Sequence, residues 1–164
     1  MRTMRMRLAV VAALAFAVVC TTPAPAGADA TLFLGTTTSP THRTVRGFAA
    51  GMSMLVVGFE FEYASTTEDL LVSAPSLKTT SGNVSVQTPG LTHIQLYLTT
   101  GAGYYRERLG NDQETSFLFN NGGGVKVTIA GPLRARVDYR IFNLRGTPRH
   151  SKVQRVYVGA NLAF

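Results

Sequence analysis

Leu133–Ile141 reads LRARVDYRI. Every second residue, Leu133, Ala135, Val137, Tyr139 and Ile141, is apolar or aromatic, and those between, Arg134, Arg136, Asp138 and Arg140, are charged. Successive side chains of an extended chain point to opposite faces, so this stretch is a strand with one greasy and one ionic face. A helix would smear the two sets around its surface.

The same period of two recurs on both sides. Val57, Phe59, Phe61 and Tyr63 alternate with Gly58, Glu60 and Glu62. Further on, Ile94, Leu96, Leu98, Ala102 and Tyr104 alternate with Gln95, Tyr97, Thr99, Gly101 and Gly103, and Val125, Val127 and Ile129 flank Lys126 and Thr128. The chain ends in RVYVGANLAF (155–164), where Val156, Val158, Ala160, Leu162 and Phe164 oppose Arg155, Tyr157, Gly159 and Asn161. No helix of useful length is expected after residue 30. Eight strands are, near 31–35, 45–53, 55–64, 78–87, 92–106, 116–129, 133–143 and 152–164. Tight connections at 53–54, 88–90 and 130–132 alternate with long polar ones at 36–44, 65–77, 107–115 and 144–151. In an antiparallel meander this collects short turns at one end and long loops at the other.

Residues 1–30 are set apart as a cleaved signal peptide. Arg2, Arg5 and Arg7 precede an apolar run from Leu8 to Cys20, and small residues at Ala26-Gly27-Ala28 and Ala28-Asp29-Ala30 offer cleavage after Ala28 or Ala30. The run is too short to span a membrane as a helix. Cys20 is the only cysteine, and Val19 before it does not suit lipidation, so the exported domain 31–164 is expected to hold neither disulfide nor thiolate metal site. Removing Arg2, Arg5, Arg7 and Asp29 from a chain of net charge +7 leaves 13 basic and 8 acidic side chains. Without a basic block, that excess favours anionic partners at a cell surface over nucleic acid.

Alternation leaves open which face is inside. A secreted lipocalin-like barrel would enclose an apolar ligand in its greasy face; a membrane barrel turns that face to lipid. Glycines on the polar face (58, 101, 103, 122, 124 and 159) suit a narrow eight-stranded interior, and Tyr63, Tyr104, Phe117, Phe119 and Phe164 stand where interfacial aromatic girdles would lie. The membrane barrel is therefore the expectation.

The opening TLFLG (31–35), the hairpin GFAAGMSMLVVGFEFEYA (47–64), LYLTTGAGYYRE (96–107) and the terminal VYVGANLAF together resemble the small eight-stranded outer-membrane β-barrel proteins of Gram-negative bacteria, of the OmpA/OmpX and opacity-protein type. The resemblance spans nearly all of 31–164. It implies an all-β, antiparallel, up-and-down transmembrane barrel with short periplasmic turns and longer extracellular loops, exported to the outer membrane. It also implies delivery by periplasmic chaperones, with Val156, Val158, Leu162 and Phe164 as the signal read by the barrel-assembly machinery. The fold hosts anchors, adhesins, pores and enzymes, so it does not choose an activity.

Three groups of site residues follow. Glu60, Glu62, Lys126, Arg134, Arg136, Asp138, Arg140 and Arg155 are expected to form a lumenal ion network, since charges with little water must be paired. It would plug the barrel or, on the alternative reading, line a narrow porin-like channel. His42, Arg43 and Arg46 near the first long loop, with Arg145, Arg149, His150 and Lys152 near the last, are candidates for contact with phosphates of outer-membrane lipid, lipopolysaccharide included. Catalysis is not expected. His150 and Ser151 are neighbours that point opposite ways on a strand, and NNGGG (120–124) lacks the context of a phosphate loop. No cofactor and no metal are implied. The reading is of a monomer with a structural or surface-interaction role, and the lack of sequence after Phe164 argues against tethering to peptidoglycan.

Overall fold

The computed structural model describes residues 26–39, 42–69, 73–89 and 93–164. The leader reading of residues 1–25, Cys20 included, lies outside them. Eight strands follow in chain order: β1 Ala26–Ser39, β2 Arg43–Met54, β3 Val57–Thr66, β4 Ser76–Gln87, β5 Ile94–Leu109, β6 Asp112–Ala130, β7 Leu133–Leu144 and β8 Lys152–Ala163. Each pairs antiparallel with the next, and β1 pairs with β8, closing the sheet without an edge. At the seam the Ala28 amide donates to the Phe164 carbonyl (3.2 Å) and the Phe164 amide to the Ala28 carbonyl (2.8 Å). Closure matters because an open edge leaves unpaired backbone groups.

The largest departures from the sequence expectation are at β1 and at the β5–β6 connection. β1 starts at Ala26 rather than near Thr31, because the small residues that resemble a cleavage site also fit an extended strand opposite Ala50–Met54. The connection expected as a long loop at 107–115 is a two-residue turn, Gly110-Asn111, at the tip of the β5–β6 hairpin. Gly110 has φ +58°, a left-handed conformation that glycine adopts without a Cβ penalty, so the ladder continues to the tip.

Alternation resolves as one wall and one interior. Leu32, Leu34, Phe59, Leu96, Ile129 and Leu162 face outward and are exposed; Leu98 and Phe164 reach 73% and 77% exposure. Arg136, Arg140 and Arg155 rank among the largest fully buried side chains. The arrangement of a secreted ligand carrier, apolar inside and polar outside, is the reverse of this one.

The interior changes character along its length. From the turn end, polar groups (Asn161, Gln95, Lys126) lead to an ionic belt. Above it, toward the 145–151 loop, lies a buried apolar cluster of Leu77, Tyr105, Leu118, Phe142, Leu144 and Val153. A second cluster of Phe33, Val45, Ala64 and Tyr157 has Phe33 and Tyr157 stacked at 4.1 Å.

Candidate functional site

The ionic belt is built from β3, β7 and β8. Inward parity on β7 places Arg136, Asp138 and Arg140 in file, opposite Glu60 and Glu62 of β3 across the lumen. Arg136 contacts both Glu60 oxygens, Oε1 at 3.2 Å through Nη2, and lies 3.0 Å from Asp138 Oδ2. Arg140 reaches Glu60 Oε1 at 2.7 Å, Glu62 Oε2 at 3.0 Å and Asp138 Oδ1 at 3.0 Å. Arg155 of β8 extends the belt to Glu62 at 3.1 Å and donates to Thr79 Oγ1 at 3.1 Å. Tyrosines join it: Arg136 Nε donates to Tyr97 Oη (2.7 Å), Tyr97 donates to Asp138, and Tyr157 donates to Glu62 (3.2 Å). Arg136 also stacks over the Tyr97 ring at 4.9 Å. Guanidinium forks suit such a cluster because each satisfies two carboxylates at once.

The remaining lumenal residues are placed less uniformly. Lys126 pairs with Asp29 of β1, a carboxylate that the sequence reading had assigned to the leader. Arg134, expected in the ion network, is half-buried toward the turn end; its hydrogen bond is to Gln95 Oε1 at 3.5 Å and it makes no ion pair among the described residues. The apolar cluster above the belt is also new. Leu118 and Phe142 were hidden to pattern reading because their strands are apolar on both faces there, so alternation fades.

The cations expected to meet anionic lipid separate into three sets. Arg43 is turned inward, donating to the backbone carbonyls of Thr67 (3.3 Å) and Pro75, so it braces the loop end instead of facing outward. Arg46 lies on the outer wall, exposed. His42, Arg145, Arg149, His150 and Lys152 are exposed at the loop end, with Arg145 over the Phe119 ring at 5.9 Å. Val156, Val158, Leu162 and Phe164 all occupy the outward face of β8 or its end. Among the described residues no hydroxyl is hydrogen-bonded to His42, His93 or His150.

The outer aromatics form a row that follows the register. Phe48 is opposite Tyr63, Tyr63 opposite Thr80, Thr80 opposite Tyr104, and Tyr104 opposite Phe117. Ring centroids are 5.7 Å apart for Phe48–Tyr63 and 4.6 Å for Tyr104–Phe117.

These features define a closed eight-stranded antiparallel barrel with charge inside and apolar side chains outside. Solved structures share this fold. The N-terminal β-barrel domain of Pseudomonas aeruginosa OprF superposes with TM-score 0.64 at 14% identity, covering 84% of this chain and 97% of that one. Neisserial surface protein A, NspA, gives 0.61 at 14% identity, covering 84% and 94%. Ail, the attachment invasion locus protein of Yersinia pestis, gives 0.55 at 14% identity, covering 85% and 98%. The fold is thus that of the small outer-membrane barrels. No protein-family model and no curated protein sequence matches the chain.

Proposed function

We propose that the chain is an integral outer-membrane β-barrel, exported by a cleaved leader, with a sealed lumen and a structural or surface-interaction role carried by its loop end. The inversion of burial supports this most directly. Guanidiniums are fully buried while leucines and phenylalanines cover the outside. In water so continuous an apolar wall is an aggregation liability; in hydrocarbon it is the ground state, and a closed sheet satisfies every strand there. The aromatic row at Phe48, Tyr63, Tyr104 and Phe117 marks the interface toward the loops.

The lumen is a plug and not a path. Eight strands leave an interior that side chains fill, and here the ionic belt is followed by an apolar layer at Leu118, Phe142 and Leu144. Activity is therefore assigned to the rim. The loop-end cations His42, Arg145, Arg149, His150 and Lys152 suit phosphates of lipopolysaccharide, and the outward face of β8 suits the barrel-assembly machinery after chaperone transit. We read the chain as a monomer without catalytic activity.

Fractionation of cells expressing the protein, followed by gel electrophoresis in detergent with and without boiling, tests the proposal. Outer-membrane recovery with a mobility shift on heating is the expected result. A water-soluble periplasmic protein that runs alike in both lanes overturns it.

A further inference from the structure

Cations and carboxylates are distributed unequally on the outside of the barrel. Among the described strand residues of outward parity, the charged ones are Arg46, Lys78, Arg106, Arg108 and Lys152. All five are basic and all lie at the loop end. The carboxylates point into the lumen (Asp29, Glu60, Glu62, Asp138) or belong to the rim and hairpin (Glu68, Asp69, Glu107, Asp112, Glu114).

Register turns three of these cations into a row. Arg46 is opposite Ser65, Ser65 opposite Lys78, and Lys78 opposite Arg106. The row lies two residues beyond Phe48, Tyr63, Thr80 and Tyr104 on the same strands and the same face. Neighbouring strands are roughly 5 Å apart, so Lys78 stands about 5 Å from Arg106 and about 10 Å from Arg46 along the row, between the two guanidiniums. Lys78 and Arg106 are direct cross-strand partners, and like charges so placed destabilise a sheet. No ion pair to either, or to Arg46, relieves this among the described residues. An anion between them would.

Below Arg46 and Lys78 the wall opens into a groove of about 820 Å³, lined by Leu32, Leu34, Phe48, Tyr63 and Val158, with Ser65 between the two cations at its lip. A cationic lip over an apolar trough complements a molecule with an anionic head and a hydrocarbon tail.

We propose that Arg46, Lys78 and Arg106 hold the phosphate of a phosphorylated membrane lipid, whose acyl chain lies in the groove toward Leu32 and Val158. This rests on the membrane reading above and adds a lipid contact on the wall to the one proposed for the loops. Guanidinium and ammonium groups give charge-assisted hydrogen bonds to phosphate oxygens, and the groove excludes water from the tail.

The test titrates bis-phosphorylated lipid A into the barrel folded in a zwitterionic detergent and measures the lipid-bound fraction by native mass spectrometry. Three proteins are compared: wild type, the wall variant Arg46→Gln/Lys78→Gln/Arg106→Gln, and the control Arg134→Gln, whose cation lies at the turn end. Three exposed charge contacts correspond to roughly tenfold in apparent Kd, and this weakening is expected of the wall variant. The Arg134→Gln control is expected to stay within about twofold of wild type. Inorganic phosphate is expected not to displace the lipid; displacement would show an anion site without a lipid tail and overturn the proposal. Equal binding by wild type and wall variant, each shifting mobility on heating, overturns the docking site alone. Absence of any heat-shifted form in the wild type overturns the membrane reading and the docking site together.

Discussion

Arg155 of β8 and Glu62 of β3 meet across the lumen at 3.1 Å, with 0% and 1% of their side chains exposed. Glu62 also lies 3.0 Å from Arg140 and accepts from Tyr157, so two guanidiniums share one carboxylate. Glu62→Gln keeps the shape and removes the charge, leaving Arg140 and Arg155 to face each other. Breaking a buried pair on one side costs about 3–5 kcal/mol, and a loss of that order is expected in urea unfolding of the refolded barrel. A loss below about 1 kcal/mol would mean that water reaches the belt.

On the proposed reading the lumen is blocked twice, by ions and by apolar side chains. Phe142→Ala removes much of the upper block but leaves Arg136, Arg140 and their carboxylates in place. Planar bilayer recordings are therefore expected to show no discrete conductance steps for the wild type or for Phe142→Ala. Reproducible steps in the wild type would refute the sealed lumen.

β1 includes Asp29, whose carboxylate pairs with Lys126. Cleavage after Ala30 would remove it, whereas cleavage after Ala28 would keep it. The mature chain is expected to begin at Asp29, which intact-mass measurement of the outer-membrane form reads directly. A mature protein beginning at Thr31 would leave Lys126 without this partner and contradict the expectation.

Two glycines give opposite forecasts. A Cβ on Gly124 would stand 2.5 Å from the Tyr97 hydroxyl, which is held by Asp138 and Arg136, whereas a Cβ on Gly82 meets nothing within 4 Å. Gly124→Ala is expected to destabilise by about 1–3 kcal/mol through overpacking, and Gly82→Ala to be neutral or to stabilise by about 0.5 kcal/mol. Heat-shift midpoints on gels compare the two, and equal behaviour would contradict the packing described.

Glu107 lies beyond the cation row, in the outer part of the β5–β6 hairpin, opposite Leu77. Burial holds its carboxyl above the usual range; a backbone hydrogen bond from Arg149 opposes the rise and Glu114 adds to it. A folded-state value above the unfolded one means that the folded chain holds the proton more tightly. Its contribution to stability is then full below the ordinary carboxylate range and is lost as pH rises through the raised value. Glu107→Gln is expected to flatten that part of the pH profile of urea unfolding. An unchanged slope would assign it to other groups.

Much of the fold was legible because one barrel wall separates two environments and so imprints a period of two on nearly every strand. Parity alone put Glu60, Glu62, Arg136, Asp138, Arg140 and Arg155 on the polar face, and the glycines on that face with the aromatics on the other pointed it inward. Three things escaped for separate physical reasons. Ala26–Ala30 satisfy both a cleavage pattern and a strand, which hid Asp29. Leu118 and Phe142 lie where both faces are apolar, so alternation carries no signal. The row of Arg46, Lys78 and Arg106 comes from three strands and needs their register, which no single stretch of sequence contains. Arg43 was misjudged because its acceptors, the Thr67 and Pro75 carbonyls, are backbone groups and leave no mark in residue type.

The seam between β1 and β8 also dictates when the molecule can form. Asn161 donates to Thr31 at 2.9 Å, a contact between residues separated by 130 positions. Contacts of such high sequence separation require the largest loss of chain entropy before they return any stability, so they slow folding. Here they join β1 to β8, the two strands of the barrel farthest apart in the chain, so the ring cannot shut until β8 has been made. Until then one edge of β1 stays open, and the seam sets the order in which the barrel can be completed.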